Sequence, residues 1–240
     1  MAFSEQILEG KFLYYKGKNQ YSEELFKLEK EDKPNGNYTF SSEILSRVAT
    51  GDFLKVQVEY ELTNQLDPLN VRIKRFLGEN SSTERYYVDQ NSKTVSYSFD
   101  GRDGHNDFEK IVSGKFTIGT PAFCTSAIMT LMKKIDSVQK TQYLIVSSNN
   151  IWEYTAPFSE NSLHVELKSN EPVQIEINGN ELSATLCHFI EDIDTEQKPY
   201  GEFYLSKHFN IPYKAIFPGD IKVIIDRLKI TERANYKKFF

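Results

Sequence analysis

Leu54-Lys55-Val56-Gln57-Val58-Glu59-Tyr60-Glu61-Leu62 decides the fold class. Apolar residues hold every second position, and Lys, Gln and Glu fill the gaps. A strand turns successive side chains to opposite faces, so this period of two sends one row to a core and the other to water. The device recurs along the chain. Val71, Ile73 and Arg75 share a parity, as do Val95, Tyr97 and Phe99; Leu163, Val165 and Leu167; and Val173, Ile175 and Ile177.

Turn chemistry separates these runs. Asn178-Gly179 tolerates positive φ and suits a tight type I′ hairpin. Pro34-Asn35-Gly36-Asn37, Gln90-Asn91-Ser92-Lys93 and Phe217-Pro218-Gly219-Asp220 read as further hairpin connections. Sequential hairpins imply an antiparallel meander, because parallel neighbours need long crossovers.

One segment departs from the pattern. Thr120-Pro121 reads as N-cap and first helical residue, and Phe123, Ala127, Ile128, Leu131 and Ile135 follow at helical spacing. The spacing predicts one amphipathic helix over 121–135. The expected protein is therefore mainly β: a large curved antiparallel sheet, half-barrel or sandwich, with that helix packed on it. A single domain over 1–240 is expected, with a strand block at 1–119, the helix at 120–136 and a second strand block at 137–240.

Composition agrees. Seventeen Phe, fourteen Tyr and one Trp favour strands. A formal net charge of −5 argues against a nucleic-acid partner. No run approaches the roughly 18 apolar residues of a helical membrane span. The start, Met1-Ala2-Phe3-Ser4-Glu5-Gln6, lacks a basic region followed by an apolar one. The expected location is the cytoplasm as numbered, or the periplasm if a leader was removed. Two cysteines, Cys124 and Cys187, make no disulfide framework.

Catalytic signatures are absent. The chain has no glycine-rich phosphate loop, no Gly-x-Ser-x-Gly elbow, no His-Glu-x-x-His and no Cys-x-x-Cys. Neither a cofactor nor a metal is expected. Cys124 falls in the first turn of the expected helix, where amides and dipole can activate a thiolate, but it also lies on the apolar face. His105, His164, His188 and His208 form no local metal pair. The polar stretch from Asp100 to Asp107 lacks calcium-loop register and reads as a surface hairpin. Glu191, Asp192, Asp194 and Glu196 read as a solvated loop, and Lys229, Arg233, Lys237 and Lys238 as a solvated terminus.

The end of the chain carries a resemblance. Tyr200-Gly201-Glu202-Phe203-Tyr204-Leu205-Ser206 is followed by Ile211-Pro212-Tyr213-Lys214-Ala215-Ile216-Phe217, then by Ile221-Lys222-Val223-Ile224-Ile225-Asp226-Arg227-Leu228. An aromatic strand, an Ile-Pro opening the next, a short turn and an apolar last strand resemble the ending of uncharacterised bacterial families. Those families are similar to the curved half-barrels of bacterial lipoprotein carriers. The resemblance implies a concave apolar cavity for an acyl chain or another greasy ligand.

The first functional reading is thus a non-catalytic binding protein holding an apolar or lipid-like small molecule in the concave face of the sheet. Its expected lining is Phe116, Phe123, Met129, Met132, Trp152, Tyr154 and Phe158. The alternative is a structural or interaction subunit that docks a protein through an exposed sheet edge or aromatic patch, Phe239-Phe240 included. An enzyme built on Cys124 or dispersed carboxylates ranks third.

Overall fold

The computed structural model describes residues 4–193 and 196–231, with the side chains of 192, 193, 196 and 197 left aside. The expected basic and aromatic terminus beyond 231 and, of the acidic cluster, Asp194 lie outside the described residues, and of Asp192 and Glu196 only the backbone is described. Eight strands come first: β1 Ser4–Lys16, β2 Asn19–Glu31, β3 Tyr38–Arg47, β4 Phe53–Leu62, β5 Pro68–Leu77, β6 Asn80–Asp89, β7 Thr94–Gly101 and β8 Gly104–Ile111. A short strand, β9 Phe116–Ile118, precedes the helical segment. Seven strands follow it: β10 Thr141–Ser147, β11 Ser159–Leu167, β12 Val173–Ile177, β13 Asn180–Ile193, β14 Glu196–Leu205, β15 Pro212–Phe217 and β16 Ile221–Ile230.

The strands form one sheet, in the order β8-β7-β6-β5-β4-β3-β2-β1-β16-β15-β14-β13-β11-β10-β9, with β12 branching from β13. All pairings are antiparallel except β9 with β10. The chain begins at the middle of the sheet, meanders out to β8, crosses to the opposite edge at β9 and meanders back to pair β16 with β1.

That connectivity forces curvature. Fifteen strands side by side at about 4.8 Å would span roughly 67 Å. The chain from Ile111 at the end of β8 to Phe116 at the start of β9 reaches at most about 18 Å. The edges can be joined only if the sheet rolls up. It rolls with β9 tucked inside. The Ile118 amide donates to Tyr60 Oη on β4 at 2.8 Å, and Tyr60 Oη lies 3.1 Å from Thr117 Oγ1. The loop after β10 lies against β6–β8: the Arg102 amide donates to the Trp152 carbonyl at 2.9 Å, and Ser82 Oγ donates to that of Ile151 at 2.5 Å. The half-barrel rather than two separate sheets is therefore the architecture.

The alternation seen in the sequence sets the core. Val56, Val58, Tyr60 and Leu62 are buried, as are Val71 and Ile73, and Val95, Tyr97 and Phe99. Asn178 and Gly179 take φ of 52° and 75°, the left-handed pair of the tight hairpin between β12 and β13. Gly10 on β1 faces Phe26 on β2; a Cβ there would sit 2.4 Å from the Phe26 ring, so only glycine lets that ring stack on Phe12 at 4.7 Å.

The helix is shorter than the spacing predicts. Residues Phe123–Ser126 form a 3₁₀ turn, and α1 runs only over Ala127–Met132. Thr120 does not cap it, and the Pro121 position is not helical; Ala122 is extended at φ −80°, ψ 122°. Hydroxyl groups compete with the helical ladder here. The Ala122 amide donates to Thr120 Oγ1, while Thr125, Ser126 and Thr130 donate to carbonyls three residues back. At the far end Lys133 is extended, and its carbonyl accepts the Tyr143 hydroxyl at 2.8 Å. Among the described residues no helix is long and apolar enough to cross a membrane.

Candidate functional site

Two strands place carboxylates in inward rows. On β2 that row is Ser22, Glu24, Phe26 and Leu28; on β6 it is Ser82, Glu84, Tyr86 and Val88. Glu24 and Glu84 are 0% and 1% exposed. A buried carboxylate is tolerated only with its lone pairs satisfied.

Glu24 meets that condition within the protein. Its Oε1 accepts from Ser42 Oγ at 2.9 Å and from the Cys124 amide at 3.1 Å. Its Oε2 accepts from the Tyr14 hydroxyl and from the Phe123 amide at 2.8 Å. Glu24 thus pins the start of the 3₁₀ turn to the concave face. Burial and the Glu24 charge hold the Tyr14 phenol and the Cys124 thiol well above their ordinary values. A neighbouring carboxylate disfavours a thiolate, so Cys124 packs as a small hydrophobe and is not poised as a nucleophile.

Glu84 belongs to a larger network. Its Oε1 accepts from Ser148 Oγ, lies 3.1 Å from Tyr97 Oη and 3.4 Å from Tyr86 Oη. Asn150 Nδ2 donates to Tyr97 Oη at 2.8 Å, and Asn150 Oδ1 gathers the Thr155 amide and hydroxyl. Burial, with the Glu84 charge behind it, holds the Tyr86 and Tyr97 phenols far above their usual range. Arg75, inward on β5, brings Nη1 to 2.5 Å from Glu84 Oε2. The approach is off the hydrogen-bond direction, so Nη1 is the one buried side-chain nitrogen or oxygen without a hydrogen-bond partner among the described residues.

Arg75 and Glu84 face a cavity of about 520 Å³ between the inner face of the sheet and the helical segment. Its walls differ. The β5–β6 side offers Arg75, Glu84 and Tyr86, with Ser147 and Ser148 nearby. The β13–β15 side offers Phe189, Phe203 and Phe217, with Tyr200 and Glu191 at its margin. Phe189 and Phe203 are 3.9 Å apart, Phe203 and Phe217 5.5 Å, and Phe123 closes on Phe203 at 5.7 Å. Burial, then the Glu191 charge, raises the Tyr200 phenol.

The structure brings only part of the expected lining together. Phe123 and Met129 line this cavity. Phe116, Met129 and Met132 border a smaller hollow of about 150 Å³ beside Tyr143. Trp152, Tyr154 and Phe158 sit on the connection after β10. Phe158 packs on Phe108 at 5.2 Å and Tyr97 at 6.1 Å, and Tyr154 lies 6.3 Å from Phe99. Sequence reading passed over Arg75, Glu84 and Glu191 as wall residues; the shared parity of Arg75 with Val71 and Ile73 was the available clue. Glu191 stands in β13, paired with Leu163, and not in a solvated loop, because the β13–β14 ladder continues past it. The Asp100–Asp107 stretch is a hairpin with Gly101 opposite Gly104, as expected. Its His105 bridges Asp100 at 2.6 Å and Asp107 at 2.9 Å. No group of three or more His, Cys, Asp or Glu able to hold a metal occurs among the described residues.

No known family model matches the chain, and no curated protein does. Among solved structures it is similar to a β-barrel-like protein of domain of unknown function DUF1849 from Brucella abortus. That likeness has 9% identity, covers 97% of this chain and 99% of the other, and has a TM-score of 0.56. A DUF1089 family protein from Pseudomonas aeruginosa is similar at 7% identity over 85% of this chain and 92% of that one, with a TM-score of 0.47. The Brucella likeness is one of fold: this chain has the β-barrel-like architecture of a protein whose domain is itself of unknown function.

Proposed function

We propose that the protein is a non-catalytic binder that holds one apolar or lipid-like small molecule in the 520 Å³ cavity. The observation that carries this is the cavity itself, large enough for a small ligand and walled by aromatic rings. Phe123 and Met129 provide contacts from the helical segment, and Phe203 and Phe217 from the sheet. The half-barrel carrier resemblance of the last forty residues points the same way. The open edge at β8 is a poorer docking surface, since His105, Asp107, Glu109 and Lys110 stud it with charge.

Native mass spectrometry of protein purified gently from its source is expected to show one co-purifying molecule per chain, released on denaturation. A neutral fluorescent probe, N-phenyl-naphthylamine, is expected to bind the emptied protein. Ile145→Trp, which pushes an indole into the cavity wall, is expected to abolish that binding while leaving the circular dichroism unchanged. Probe binding that survives the blocked cavity would refute the reading.

A further inference from the structure

The walls also restrict the head group of the ligand, on the reading that the cavity holds one. Among the described residues the charged side chains lining it are Arg75, Glu84 and Glu191, one cation against two carboxylates. Glu84 is already supplied, on Oε1 by hydroxyls from Ser148 and Tyr97 and on Oε2 by Arg75. Arg75 is in the opposite condition. Its Nη1 is engaged in the 2.5 Å ion pair with Glu84 Oε2, and of its five N–H donors those on Nε and Nη2 direct no hydrogen bond to an acceptor of the protein, although the side chain is only 11% exposed. Arg75 lines the cavity, so a ligand that brings an acceptor can serve those remaining donors in place of water.

The acceptor need not be an anion. The Arg75–Glu84 pair is neutral as it stands, and Glu191 leaves the lining formally negative. A ligand carboxylate or phosphate would add a further negative charge to a lining whose one cation is already paired with Glu84. An ester, amide or alcohol oxygen would satisfy the guanidinium at no such cost. We infer that the cavity selects amphiphiles with an uncharged, acceptor-bearing head, which Arg75 holds while the apolar tail lies against Phe189, Phe203 and Phe217.

The test uses the full chain, emptied of ligand, and three compounds of equal tail length: glycerol monolaurate, laurate and dodecylamine. Each displaces bound N-phenyl-naphthylamine at about pH 8. The monolaurate is expected to bind about tenfold tighter than laurate. Arg75→Lys keeps the charge beside Glu84 but removes the planar fork, and is expected to cut monolaurate affinity several-fold with less effect on dodecylamine. Glu191→Gln is expected to shift the laurate-to-monolaurate ratio several-fold toward laurate. Laurate or dodecylamine binding as tightly as the monolaurate would overturn the inference and leave the binding function standing. Failure of the probe itself to bind would remove the binding function, and the inference with it.

Discussion

Removing the Glu24 carboxylate tests the account of how the helical segment is held. In Glu24→Ala the Tyr14 and Ser42 hydroxyls lose their acceptor but can rotate toward others. The Phe123 and Cys124 amides cannot turn. Each stranded donor costs about 1–3 kcal/mol, and breaking a buried charged network typically costs about 3–5 kcal/mol. The expected loss is therefore about 3–5 kcal/mol, large against the roughly 5–15 kcal/mol that holds most domains folded. Glu24→Gln is the sharper variant. Each carboxylate oxygen serves one amide and one hydroxyl, Cys124 and Ser42 on Oε1, Phe123 and Tyr14 on Oε2. Whichever way the Gln amide is flipped, its NH₂ meets one backbone N–H that cannot accept, so the near-isosteric change is still expected to cost about 2 kcal/mol. Urea unfolding followed by Trp152 fluorescence measures both, with the slope unchanged. A loss under about 1 kcal/mol for Glu24→Ala would refute the tethering role.

Further predictions concern ionisation and packing. Buried Tyr60, Tyr86 and Tyr97 have folded phenol pKa values raised above the unfolded value of about 10, so the stability they contribute is whole below that pH and drains as pH rises through it. Phenolate absorbance is expected to appear for these residues only together with alkaline loss of the near-ultraviolet dichroism; their titration in the folded protein near pH 10 would contradict the packing. Burial pushes the Cys187 thiol up to about 12 and the Cys124 thiol higher than usual, so an aromatic disulfide reagent at about pH 8 is expected to find no reactive thiol until denaturant exposes both. Hydrogen bonds that His105 donates to Asp100 and then to Asp107 raise the pKa of this exposed imidazole. Its imidazole resonance is expected to titrate above the usual histidine range, and Asp107→Asn to bring it down; a normal midpoint in the unaltered protein would break that assignment.

The period-two rows and the Asn-Gly turn were legible because each depends on neighbours in sequence. The helix boundary was misread because apolar spacing says nothing of hydroxyls at Thr125, Ser126 and Thr130 that turn back on the ladder. The site was illegible for a different reason. In Ser22-Glu23-Glu24-Leu25-Phe26, a glutamate stands in each row, and Leu25, the apolar member of the Glu23 row, is 43% exposed. Nothing local shows that Glu24 points inward. Two of its four partners, the Phe123 and Cys124 amides, lie about a hundred residues on, and the Ser148 partner of Glu84 lies 64 residues away. Long-range pairing of this kind shows only as an inward-parity charge, as at Arg75.

Connectivity explains both where the cavity lies and why its walls differ. Because the two sheet edges are joined by the short stretch between Ile111 and Phe116, the crossover carrying β9 and the helical segment must enter the roll at its inner end. It cannot lie outside, where Ile118 would lose the Tyr60 hydroxyl and Phe123 the Glu24 carboxylate. The space left beside it is bounded by one half of the chain on each side. The first meander supplies Arg75, Glu84 and Tyr86 from inward rows that mix charge with aromatic rings; the second supplies Phe189, Phe203 and Phe217 from rows with few polar members. The cavity is therefore polar on one wall and apolar on the other as a direct result of which strands were rolled against which. The amphiphile proposed as its ligand would meet both walls in a single orientation.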